Sequence, residues 1–139
     1  MLQYRFIKKA DKTMLAQLIS LYREQGWWTR ADKPAMLRRM LRGSHRFLVA
    51  LEDGKVAGMG RAINAHSKEA YIHDVAVLKA FRGREIGTAL VARLVKRLKA
   101  DGMRWIGLIA SSNSAPFYRR LGFRSPAGTK AMMLGGHNV

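Results

Sequence analysis

The sequence predicts a mixed α/β fold, a central mixed sheet flanked by helices, in the order β-α-α-β-β-β-α-β-α-β. Three observations carry that prediction. Apolar residues recur at helical spacing in some segments and alternate, or run unbroken over a strand's length, in others. Asp53-Gly54 separates two strand-like runs, and an Asp-Gly pair readily takes the positive φ angles of a tight hairpin turn. Residues 71–110 read as strand, glycine-punctuated turn, helix and strand, a crossover that makes its two strands parallel.

The elements follow in order. Gln3–Lys8 alternates apolar and polar residues as a first strand. Asp11 caps a helix in which Met14, Leu15, Leu18, Ile19 and Tyr22 share a face, ending before Gly26. Asp32 and Pro34 open a shorter helix carrying Met36, Leu37, Met40 and Leu41. Phe47–Leu51 and Val56–Ile63 are the hairpin arms, and Tyr71–Val77 is the next strand. After the turn Arg82–Gly87 a helix runs to Asp101, with Leu90, Leu94, Val95 and Leu98 on one face and Gly102 closing it. Trp105–Ala110 is expected to be a buried strand from its continuous apolar run. Ser112–Leu121 is expected to be a capped helix stopped by Gly122, Lys130–Leu134 a last strand, and Gly135–Val139 a loose tail.

Length and composition narrow the function classes. A chain of 139 residues with 48% hydrophobic and 25% charged residues is expected to be one globular domain. It holds no cysteine, which excludes a disulfide scaffold, a thiolate nucleophile and a cysteine-ligated zinc site, and suits a reducing compartment. No apolar stretch approaches the ~18 residues of a membrane span, and the first residues lack a signal peptide's apolar core. A cytoplasmic protein without a membrane partner is the expectation.

The formal net charge is +17, and a field of that sign attracts nucleic acid, acidic protein or a phosphorylated cofactor. From Gly102 onward there is no acidic side chain, while Arg104, Arg119, Arg120, Arg124 and Lys130 are basic. These positions are spread among folded-looking segments, so they read as a basic surface on a domain.

The sharpest local pattern is Val75-Ala76-Val77, a short gap, then Arg82-Gly83-Arg84-Glu85-Ile86-Gly87-Thr88 opening a helix. Backbone N–H groups at a helix start, freed of bulk by glycine, form a cradle for phosphate oxygens. Taken alone, the heptapeptide is better explained as a strand–helix turn with two glycines for sterics. A Walker A loop is excluded, because no Gly-Lys-Ser/Thr follows, and GxGxxG is absent.

A second motif follows the next strand: Asn113 and then Phe117-Tyr118-Arg119-Arg120-Leu121-Gly122-Phe123. Together, from about Tyr4 to Leu134, the two motifs and the element order resemble the GNAT superfamily of N-acetyltransferases. The resemblance implies acetyl-coenzyme A as acetyl donor, an amine (small molecule, peptide or protein) as acceptor, direct attack without a covalent enzyme intermediate, and no metal. Val75, Ala76 and Val77 would pair through their main chain with the pantetheine arm and offer an N–H to the oxyanion. Arg82, Gly83, Arg84, Glu85, Ile86, Gly87 and Thr88 would hold the pyrophosphate. Asn113 and Phe117 would line the cofactor, although Asn113 is as well read as a helix cap. Tyr118 would be the general acid, protonated at neutral pH by its ordinary pKa of ~10. Glu85 departs from the family pattern, since glycine is usual at the fourth position of the turn.

The general base stays open between His73 and Asp74. Simple alternation places Tyr71, His73, Val75 and Val77 on one face and Ile72, Asp74 and Ala76 on the other, so Asp74 needs a bulge to join His73. Trp27, Trp28 and Tyr71 are the acceptor-pocket candidates, with one of the two tryptophans expected in the core. His45, His66 and His137 have no metal-ligand spacing. Two rival readings remain, a basic nucleic-acid-binding module and a coenzyme-A-binding domain without catalysis. Pairing into a homodimer, as some family members do, also stays open.

Overall fold

The computed structural model describes residues 1–135, so all but Gly135 of the expected tail, His137 included, lies outside the described residues. The chain divides into two compact units, Met1–Leu108 and Ile109 onward. The first holds a five-stranded sheet in the order β1 (Leu2–Phe6), β2 (Arg46–Glu52), β3 (Lys55–Ile63), β4 (Glu69–Val77) and β5 (Trp105–Gly107). The first four strands pair antiparallel, and β5 joins β4 in parallel, as the crossover requires.

Local chemistry sets the helices. The Asp11 carboxylate accepts the Met14 N–H at 2.8 Å and starts α1 (Lys12–Glu24). Pro34 is the first residue of α2 (Pro34–Gly43), where its missing N–H costs nothing. Asp53 and Gly54, at φ of 50° and 81°, make the expected hairpin turn. Gly102, at φ of 91°, follows α3 (Ile86–Ala100).

Two layers cover the sheet. Phe47, Val49, Leu51, Met59 and Ala76 form one buried cluster with Leu15, Leu18, Ile19 and Tyr22 of α1 and Leu37 and Leu41 of α2. The alternate residues face the other way. Gly58 and Gly60, paired with Ala50 and Leu48, meet Ile86, Leu90 and Leu94 of α3. A Cβ on Gly58 would stand 2.9 Å from the Ala76 carbonyl and 3.1 Å from Leu90 Cδ1, so these glycines let α3 lie close against the sheet.

The end of α3 is tied to the start of β2 by one carboxylate. Asp101, 9% exposed, accepts from Arg46 Nε (2.8 Å), Arg46 Nη2 (2.9 Å) and Arg97 Nε (3.0 Å), and pairs with His45 Nε2 (2.8 Å). The Arg46 hydrogen bond, helped by His45 and Arg97, holds the Asp101 carboxyl well below the usual carboxylate range. Because the folded pKa is depressed, this stabilisation is complete above the unfolded value near ~4 and is lost as pH falls through the folded value. Asp101→Asn is expected to cost about 2 kcal/mol at neutral pH, discounted for the partly solvated arginines. Thermal melting should then fall by about 8 °C, and the gap between variant and wild type should narrow progressively as pH falls below ~4.

Several expected elements differ. The run 105–110 is not a buried strand: only Trp105–Gly107 pairs, Trp105 is 46% exposed and Ile109 is 71% exposed. β5 is the outer strand of the sheet, with a ladder partner on one side only. In the second unit the helix is α4 (Ala115–Arg120), shorter than 112–121, because the chain first turns on itself through a Ser114 N–H to Ser111 carbonyl bond of 3.0 Å. The last expected strand, Lys130–Leu134, does not form, and the observed order ends on α4. That segment has no β-branched or aromatic residue, and Met132, Met133 and Leu134 are exposed.

Candidate active site

β4 carries a bulge at its centre. Met59 pairs with Ala76 and Arg61 with His73, so two steps on β3 match three on β4 and one residue is extra. Asp74 sits there at φ of 56°, a left-handed conformation that aspartate tolerates better than most residues. Its carboxylate is fixed on both sides: Tyr22 Oη donates to Oδ2 at 2.8 Å, and Arg61 Nε donates to the same oxygen at 2.6 Å. Arg61 Nη1 in turn donates to Ser44 Oγ at 3.3 Å.

The bulge changes the facing of the strand. Asp74 reaches Tyr22 on the α1 side and Ala76 packs in the α1–α2 cluster, whereas Val75 lies against Gly60 on the α3 side. His73, paired with Arg61, therefore shares a face with Asp74 and not with Val75 and Val77, contrary to simple alternation. Burial, with the Arg61 charge second, lowers the His73 pKa below its ordinary 6.5, so the ring is neutral at pH 7. Asp74 is a committed partner of Tyr22 and Arg61, while His73 is half-buried and neutral.

The outer edge of β4 is the second feature. β5 pairs with β4 only at Glu69, Ala70 and Tyr71. Over residues 72–77 no strand pairs with that edge among the described residues. The Leu78 N–H bonds inward to the Ala57 carbonyl at 2.8 Å, so alternation turns the Val77 main chain outward. There the Val77 carbonyl accepts from Arg82 Nε at 3.3 Å.

Arg82 begins the turn into α3. Gly83 has φ of 81° and Glu85 has φ of 64°, so the fourth position is left-handed and glycine would suit it better than glutamate. Glu85 is the N-cap of α3 and is exposed, and its side chain makes no capping hydrogen bond. The N–H groups of the first turn of α3 thus lack a side-chain acceptor. Ile86 is buried beneath this end, with Gly87 and Thr88 half-buried in the first turn. Arg84 has protein partners of its own. Its guanidinium pairs with Glu52 at 3.3 Å and lies over Phe81 at 5.8 Å, which leaves Arg82 as the nearer charge for an anion on the turn.

The second unit carries Asn113, Phe117 and Tyr118. Tyr118 is half-buried between the edges of Phe117 (ring centroids 4.9 Å apart) and Phe123 (5.8 Å). Burial raises its pKa above 10.0, which keeps the hydroxyl protonated across the neutral range. Asn113 is exposed and does not cap α4, whose N-cap is Ser114.

One of the two tryptophans lies in the core, as expected. Trp28 is 9% exposed and stacks on Tyr22 at 4.7 Å, whereas Trp27 is 48% exposed and meets Tyr22 edge-on at 6.2 Å. Tyr71 is exposed and tilts against Trp105 at 4.9 Å. Sequence reasoning missed Trp105 by burying its strand, although the glycine two residues on was a signal. The indole lies across Gly107 so closely that a Cβ there would overlap it. Among the described residues no cluster of His, Asp and Glu is placed to hold a metal, and no helix is long and apolar enough to cross a membrane.

The sequence profile of the Acetyltransferase (GNAT) family matches residues 13–123, from α1 through the Tyr118 segment. The chain belongs to this family. Among curated GNAT relatives it is 39% identical over 82 residues to GCN5-related N-acetyltransferase 2, chloroplastic, of Arabidopsis thaliana, covering 58% of this chain and 32% of that one. The chain thus spans about a third of the length of that relative. Among solved structures, a GNAT family acetyltransferase from Streptococcus pneumoniae superposes with a TM-score of 0.79 at 20% identity, covering 99% of this chain and all of that one. A predicted acetyltransferase with acetyl-CoA from Clostridium acetobutylicum gives 0.73 at 22% identity, with both chains fully covered. Both are similar in fold.

Proposed function

We propose that the protein transfers the acetyl group of acetyl-coenzyme A to a primary amine. The single observation that carries this reading is the open outer edge of β4 over residues 72–77, running directly into the glycine turn and the start of α3. An extended amide-bearing arm can add to that edge as a strand would, and the free N–H groups beyond it suit a pyrophosphate. Gly83, at φ of 81°, and the uncapped first turn of α3 fit such a donor. Glu85 opposes it, while Arg82 and the helix dipole favour it.

When bound, acetyl-coenzyme A supplies an activated acyl carbon with a thiolate leaving group. The chain's own groups do the rest. A free amine at pH 7 costs about 4.6 kcal/mol if nothing assists, since its ordinary pKa is ~10.4. His73, neutral and on the same face as Asp74, accepts that proton directly or through water. Asp74 holds the bulge with Tyr22 and Arg61 and is a positioning residue in this reading. Tyr71 and Trp105 form an aromatic wall beside His73 for the acceptor's apolar part. Tyr118 returns a proton to the thiolate.

Thiol release from acetyl-coenzyme A in the presence of a panel of primary amines tests the reading. Amine-dependent release is expected, with kcat/KM falling as pH drops through a value below 6.5, and His73→Gln should remove that limb. Binding of the coenzyme with no release for any amine would leave only a coenzyme-binding domain.

A further inference from the structure

Five cations fall close together in one stretch of the basic surface. Arg30, Lys33, Arg38, Arg39 and Arg42 fall within the α1–α2 connection and α2, and all five are exposed. Among the described residues none of them takes part in an ion pair. Other acids of the same unit are committed elsewhere: Asp101 to Arg46 and Arg97, Asp74 to Arg61, and Glu52 to Arg84. The local acid, Asp32, accepts the Thr29 N–H at 2.8 Å.

This arrangement works against the helix that carries it. Lys33 stands at the N-cap, where the helix dipole disfavours a cation, and the first turn holds no acidic residue. Arg38 and Arg42 are four apart, a like-charge pair that destabilises a helix. With Arg39 they lie on the side of α2 away from the buried Leu37 and Leu41. Bound anions would reverse each of these costs. Four of the five cations are arginine, whose planar fork suits phosphate oxygens. Trp27, which opens the same connection, leaves about half of its indole in solvent. A stackable ring in the same connection as Arg30 and Lys33, followed by an arginine-rich helix, is a combination that suits single strands.

We propose that Trp27 and the arginines of α2 form a docking surface for single-stranded nucleic acid. Its assignment does not depend on the acetyl-transfer reading.

The test is fluorescence anisotropy of a labelled oligothymidylate, titrated with the full chain over a range of salt. Each phosphate neutralised on a single strand contributes about 0.7 to the slope of log affinity against log salt, so Arg38→Gln/Arg39→Gln/Arg42→Gln should flatten that slope by about 2. The equally charged change Arg93→Gln/Lys96→Gln/Lys99→Gln on α3 should leave it nearly unaltered. Trp27→Ala should weaken binding about tenfold at every salt without changing the slope, as expected for a lost stacking contact. Circular dichroism confirms that each variant is folded. Equal losses from the two triple variants would overturn the proposal in favour of diffuse charge. A polyglutamate probe that binds as tightly, or a Trp27→Ala variant that binds normally, would overturn it in favour of an acidic protein partner.

Discussion

Tyr118→Phe should lower kcat for acetyl transfer by about a hundredfold or more, the usual contribution of a positioned general acid, with little change in either KM. Phenylalanine keeps the ring that packs on Phe117 and Phe123 and removes only the oxygen. The effect should therefore appear in the chemical step. A coenzyme thiolate, with an ordinary thiol pKa of ~8.5, leaves more readily when a proton arrives as the bond to carbon breaks. Burial raises the Tyr118 pKa above 10.0, so the wild-type rate should hold through neutral pH and fall only on the far alkaline side. Steady-state thiol release by the two proteins measures this directly. An unchanged rate would assign protonation of the thiolate to water or to another group.

The second large effect concerns the turn between β4 and α3. Gly83→Val should weaken acetyl-coenzyme A binding by about a hundredfold, because a β-branched residue cannot hold a φ of 81° and the N–H cradle would rearrange. Loss of one or two hydrogen bonds to charged oxygens, at about 1.5–3 kcal/mol each, is of that size. Glu85→Gly should act in the opposite direction. It relieves a left-handed residue at φ of 64°, worth about 1 kcal/mol to the fold, and removes a carboxylate from the mouth of the proposed phosphate site. A several-fold gain in affinity together with a higher melting temperature is expected. Gly83 is exposed, and a Cβ there would meet nothing within 4 Å. Loss of binding in Gly83→Val would thus report the turn's conformation and not a disturbed core.

What the sequence made legible was local. The Asp11 cap, the Asp53-Gly54 turn, Pro34 at the start of α2 and the glycine turn into α3 all depend on neighbours within a few residues. The family resemblance came from two such local patterns, and the match over residues 13–123 bears it out. The facing of His73 and Asp74 was not legible. It depends on a bulge pinned by Tyr22, 52 residues away, and by Arg61 across the ladder. No periodicity within 71–77 encodes either partner. The partner of Arg84 was not legible for the same reason, since Glu52 lies on the β2–β3 hairpin. Trp105 and the segment 130–134 failed through apolar runs, because hydropathy marks a preference for burial but does not supply a strand to pair with. The crowding of Gly58 and Gly60 beneath α3 had no one-dimensional signal beyond the glycines themselves.

Calorimetric titration of acetyl-coenzyme A into the wild-type protein and Gly83→Val, at moderate salt and with ATP as an anionic control, tests the central claim most directly. The open edge of β4 and its turn predict saturable one-to-one binding that ATP does not displace and that Gly83→Val loses. Weak, salt-sensitive heats of the same size for acetyl-coenzyme A and ATP, unaffected by Gly83→Val, would contradict it. The net charge of +17 would then account for anion binding without any site on β4.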